Sequence, residues 1–181
     1  MRKKLFAMFA VGAMMIAMLA GCGGSEGSVP EAGSGAGVVN EPEASTCFKD
    51  NIIETDDFKI EITGYKVIPV GEAGNEYGDK PVIAFWYNTT NVSGKEIDPN
   101  TAWIFNVTAI QDNDPNAINT LEVGMAPDMS FIDSQLETIK KGGTVANAVA
   151  YELDDLETPV LLQVKDLITD EVCGEQTFKI K

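Results

Sequence analysis

Residues 81–91 read Pro-Val-Ile-Ala-Phe-Trp-Tyr-Asn-Thr-Thr-Asn. Val82 to Tyr87 are apolar at every position, so an extended chain here presents apolar surface on both faces, as a central strand does. The polar stretch from Asn88 to Lys95 then predicts a turn region, with Gly94 as its hinge. Upstream, Phe58, Ile60 and Ile62 alternate with Lys59, Glu61 and Thr63, the period-2 pattern of a half-buried strand. Past Gly64 the apolar positions shift to Tyr65 and Val67, which predicts a bulge at the glycine. Downstream, Trp103, Phe105 and Val107 alternate again and predict a strand, and Thr120 to Val123 predicts a short one. Val145, Val149, Tyr151 and Leu153 line one face of the next, with Ala146, Ala148 and Ala150 on the other. Val160, Leu162 and Val164 follow, then Phe178 and Ile180. Only Ile132 to Lys141, ahead of Gly142-Gly143, is expected to make a turn or two of helix. About seven short strands with little helix predict an all-β antiparallel sandwich over residues 47–181.

The chain opens with Met1, Arg2, Lys3 and Lys4, followed by an uncharged apolar run from Leu5 to Leu19. This is the layout of an export signal, and the run is short for a membrane span, which needs about 20 residues. It ends in Leu19-Ala20-Gly21-Cys22, the pattern that lipoprotein signal peptidase reads. Small Ala20 and Gly21 let the backbone enter a protease cleft, and the Cys22 thiol is the nucleophile that accepts a diacylglyceryl group through a thioether. Residues 1–21 are therefore expected as a signal peptide, with Cys22 as the lipid anchor on the extracellular face of the cell membrane. Gly23 to Thr46 is rich in Gly, Ser, Pro, Ala and Glu and has too little apolar bulk to fold, so 22–46 reads as a flexible tether. Its r.m.s. reach is roughly 27 Å, which lifts a domain clear of the membrane.

Charge narrows the partners. Without its three opening basic residues, the chain carries 10 lysines against 28 acids, net −18, and no arginine. Nucleic acid rewards clusters of Lys and Arg, so no nucleic-acid partner is expected. An anionic membrane surface is repelled as well, which leaves the lipid on Cys22 to make the attachment.

The run Pro81 to Asn91 resembles the strand-then-Asn turn of a known group. So does Lys141-Gly142-Gly143-Thr144-Val145, leading to Tyr151-Glu152-Leu153 and Pro159-Val160-Leu161-Leu162-Gln163-Val164. The group is the immunoglobulin-like domains of unknown function in Gram-positive surface lipoproteins, akin to a secreted mycobacterial immunogenic antigen. The likeness covers about residues 56 to 168. It implies an immunoglobulin-like sandwich with no established catalytic residues.

The chain has no histidine, which excludes Ser-His-Asp and Cys-His catalysis and His-based zinc sites. No P-loop or Gly-x-Gly-x-x-Gly is present. A carboxylate-dependent hydrolase stays open as a remote alternative, because acids are abundant. Cys47 and Cys173 lie at opposite ends of the domain, and in an exported protein they are expected to form a disulfide. Asp112, Asp114 and Asn116 have the i, i+2, i+4 spacing of calcium ligands. The match then fails, with Ala117 in place of the turn glycine and Pro115 in the middle, so turn formation is the expected role. Met125 and Met129 are expected in a loop packed on the core, and Trp86 and Trp103 in the core itself. The glycosylation-like triplets at Asn88, Asn91 and Asn106 read as turn and strand residues. No cofactor and no catalytic residue are expected. The leading reading is a non-enzymatic extracellular lipoprotein domain that binds a protein, peptide or glycan or supports the envelope. The alternative is a small-ligand or metal-binding lipoprotein serving a transporter, with calcium as the metal to consider.

Overall fold

The computed structural model describes residues 47–166 and 169–181. The expected signal segment, Cys22 and the tether lie outside the described residues. Among the described residues, eight antiparallel strands form two sheets: β1 (Phe48–Lys49), β2 (Ile52–Glu54), β3 (Phe58–Ile68), β4 (Val82–Asn91), β5 (Val107–Gln111), β6 (Thr144–Glu152), β7 (Val160–Lys165) and β8 (Val172–Phe178). One sheet runs β1-β2-β3-β4-β6 and the other β5-β7-β8. The order β3-β4-β6 against β5-β7-β8 matches the A-B-E and C-F-G strands of an immunoglobulin-type sandwich. Where a fourth strand of the first sheet would continue beyond β6, the described chain makes a single bridge, Val123 to Tyr151.

Apolar alternation puts β4 in the middle. Ile83, Phe85 and Tyr87 face the interior, while Val82 and Ala84 are buried on the other face with Ile68 and Ala150. The register slips between Ile62 and Gly64, which leaves Thr63 as the extra residue of a bulge and moves the inward positions from Ile60 and Ile62 to Tyr65 and Val67. Asp50 and Asn51 both have positive φ, 52° and 66°, and join β1 to β2 by the two-residue turn those residue types favour.

The core is aromatic. Phe85 lies against Phe178 edge-on at 5.0 Å between ring centres, and also reaches Tyr65, Trp103 and Tyr151. Tyr87 stacks on Trp103 at 4.3 Å. Such pairs contribute about 0.5–1.5 kcal/mol each beyond the area they bury.

Three expected elements are corrected. Trp103 and Phe105 belong to no strand: Pro99–Ile104 is a short helix, α1, and β5 begins only at Val107. The Asp98 side chain accepts from Thr101 N at 2.8 Å and Pro99 supplies the preset φ of a first helical residue, so the local cap overrides the alternation. The helix buries Pro99, Ala102 and Trp103 and leaves Phe105 exposed. Nor is Ile132 to Lys141 helical. A single 3-10 turn at Met129–Phe131 comes before it, capped by Asp128. Its amides then go to turns and to a neighbour, with Ile139 N donating to Ile97 O at 2.8 Å. Thr120 to Val123 makes two isolated bridges rather than a strand.

Candidate functional site

Cys47 and Cys173 are joined in a disulfide across a sequence separation of 126 residues. Cys47 N also donates to Cys173 O at 3.0 Å, and the Gln176 side chain exchanges hydrogen bonds with Asn51. These contacts tie β1 of the first sheet to β8 of the second, so the cysteines hold the sandwich together and carry no open thiol chemistry.

Asp112, Asp114 and Asn116 lie in the exposed loop after β5. Asp114 Oδ1 accepts from Asn116 N at 2.8 Å, which is the turn-forming role its residue type suggests. Asp114 lines an open recess of about 540 Å³ together with Asn113, Asn119 and Asp154. Asp112 is not among its lining residues, and no group of three or more His, Cys, Asp or Glu able to hold a metal occurs among the described residues.

The polar groups behind this recess satisfy one another. Gln111, fully buried, donates to Asp155 O and Thr158 O and accepts from Asp154 N at 2.9 Å. Asp155 accepts from Thr158 N at 2.7 Å, Asn113 Nδ2 at 2.9 Å and Glu157 N at 2.8 Å, and these donors hold its carboxyl far below the usual carboxylate range. The Lys80 ammonium, 2.7 Å from Asp154, lowers that carboxyl too. Lys95 does the same for Asp57, and the Ser130 hydroxyl and amide for Asp128. All four shifts keep the carboxylate charged, the opposite of what a proton-donating acid needs.

Across the outer face of the first sheet run two loops that a sequence reading leaves unremarked. Residues 69–80 fold around Asn75, which is buried. Its Nδ2 donates to Ile68 O at 3.2 Å and Lys80 O at 2.9 Å, so it holds both ends of the loop. Residues 124–131 are held by Gly124 N donating to Ala150 O at 2.9 Å and by Asp128, which accepts from Trp86 Nε1 at 3.3 Å and from Ser130. At Gly74 the loops touch: a Cβ there would come within 2.5 Å of Pro127 O, so only glycine fits. The groove they form holds about 500 Å³. Tyr77 (85% exposed), Met129 (73%) and Met125 (58%) line it. The loop expected to pack on the core is held against the sheet, but its Met125 and Met129 side chains do not share that burial. Both side chains stand largely in solvent. Trp103 is a core residue as expected. The sequence did carry one signal. Val82, Ala84 and Trp86 are apolar on the sheet's outer face, and that face needs a cover.

The described residues thus form a small all-β antiparallel sandwich. Residues 39–166 match a family described as "Domain of unknown function (DUF5067)", and the chain belongs to that family. The match stops short of β8 and Cys173. A solved structure from Staphylococcus aureus, described as that of "a putative lipoprotein", is similar with a TM-score of 0.62 and 23% identity, covering 73% of this chain and 90% of that one. That likeness is one of fold. No curated protein matches the chain.

Proposed function

We propose that the chain is an exported lipoprotein, held by lipid on Cys22 at the extracellular face of a Gram-positive cell membrane, whose sandwich binds a partner and performs no chemistry. Leu19-Ala20-Gly21-Cys22 behind a basic and apolar start supports the anchor. So does the description of the Staphylococcus aureus relative. No helix among the described residues is long and apolar enough to cross a membrane. The A-B-E and C-F-G strand order supports kinship with immunoglobulin-like surface domains and the mycobacterial antigen. The lack of histidine and the lowered carboxyls support a non-enzymatic role.

The observation that carries the binding role is the groove, where an aromatic ring and two thioethers stand in solvent on loops pinned by Asn75 and Asp128. Loops already ordered lose little freedom on binding, which favours affinity. Crosslinked capture from intact cells, comparing the native chain with Tyr77→Ala plus Met129→Ala, should recover a protein partner that the double variant loses. Identical recovery would move the binding role off the groove. For the anchor, Cys22→Ala should abolish labelling by a fatty-acid probe, and labelling that persists at the same place would refute it.

A further inference from the structure

We infer that the groove between residues 73–77 and 125–129 takes a lysine- or arginine-bearing apolar peptide segment of another protein. The inference rests on the groove being the binding surface. Its lining includes two acids, Glu76 and Asp128, and no lysine or arginine. Both carboxylates are fixed in place. Glu76 Oε2 accepts from Gly74 N at 3.0 Å, which leaves Oε1 for a cation. Asp128 spends Oδ1 on Ser130 and Oδ2 on Trp86. It therefore contributes a fixed negative charge, and hydrogen bonds from Ser130, ahead of the one from Trp86, keep it ionised.

Beside these charges stands the Tyr77 ring, 85% exposed, whose face attracts a cation. Met125 and Met129 supply adaptable apolar surface for the stem of a lysine or for a neighbouring aliphatic side chain. A volume of about 500 Å³ suits a few side chains rather than a folded surface. The chain's net charge of −15 steers basic segments toward it and away from acidic ones. An acidic peptide would instead meet two fixed like charges.

The test uses the full chain in neutral detergent, with empty micelles as the blank. Three fluorescein-labelled peptides alternate leucine with lysine, with serine or with glutamate, and anisotropy reads binding. The lysine peptide should bind most tightly. Tyr77→Ala should weaken it about fivefold or more while Tyr77→Phe stays within about twofold, the pattern of one cation–π contact. Glu76→Gln should weaken it about threefold, and this loss should shrink in high salt. Tyr77 lies on the surface, so its variants keep the fold, which circular dichroism checks. A serine peptide that binds equally well, with the same sensitivity to Tyr77→Ala, would overturn the cation preference and leave the groove as a binding surface. A lysine peptide insensitive to Tyr77→Ala would show diffuse attraction to an acidic protein and overturn the inference. Absence of binding by all three peptides would overturn it too, while capture from cells separately decides whether the groove binds at all.

Discussion

Burying an indole nitrogen demands an acceptor, and Trp103 finds it in the Tyr151 hydroxyl, 2.8 Å away in the core. Burial pushes Tyr151 up to about 12 from an ordinary 10.0, against a smaller downward pull from that bond. A raised folded pKa means the stabilisation is full below pH 10 and is lost as pH climbs toward 12. Tyr151→Phe should therefore cost about 1–3 kcal/mol at pH 7, since it orphans the Trp103 N–H. It should also reduce the loss of stability between pH 10 and 12, a window that Tyr151 shares with Tyr87, whose hydroxyl burial raises as well. Urea titrations at neutral and alkaline pH check both, and an unchanged alkaline slope would remove Tyr151 as its source. Thr89 is the reverse case. Its hydroxyl is buried on β4 without a hydrogen-bond partner. Thr89→Val keeps the shape and removes the desolvated group, so stability should rise by about 1 kcal/mol. A fall on urea titration would mean that the hydroxyl has an acceptor after all.

Elements built on period-2 alternation were legible in the sequence. β3 with its bulge, the two-faced β4 and the apolar ladder of β7 follow from side-chain spacing alone. α1 was not, because Trp103, Phe105 and Val107 alternate equally well whether or not Asp98 caps a helix, and only the backbone bond at Thr101 decides. Asp98→Ala should then cost about 1 kcal/mol and loosen Trp103, visible in thermal unfolding followed by tryptophan fluorescence. The groove was illegible for a different reason. Its loops are 44 or more residues apart in sequence and have no periodicity, and their meeting at Gly74 and Pro127 depends on the sheet they both cross. The staple at the other edge was readable from two cysteines at the domain's ends. Reduction, or Cys173→Ser, should cost about 2–5 kcal/mol. A much smaller loss on denaturant unfolding would mean that the Gln176–Asn51 contacts hold β1 to β8 without it.

At the scale of the whole molecule, acids outnumber bases 28 to 13. The ion pairs present do little against that excess. Lys59–Glu54, Lys80–Asp154, Lys95–Asp57, Lys165–Asp170 and Lys181–Glu157 all lie at the surface, where solvent and salt screen such pairs and they stabilise little. Self-repulsion should therefore limit stability at low ionic strength, and the melting temperature should rise as sodium chloride is added toward about 0.15 M, where the screening length falls to about 8 Å. Divalent cations separate this screening from a true site. A calcium ion bound to the folded state alone would add about 2.7 kcal/mol at a hundredfold excess over its dissociation constant, several degrees of melting temperature for a domain of this size. Magnesium screens charge similarly but demands a tighter octahedral set of ligands, so it serves as the control. Asp114 already spends Oδ1 on the Asn116 amide, and Asp112 lies apart from the recess that Asp114 lines. Millimolar calcium should consequently shift the midpoint no more than magnesium does. A larger shift with calcium alone, lost in Asp112→Ala plus Asp114→Ala, would mean that the loop rearranges around a metal and that its turn geometry is only the empty form of a calcium site.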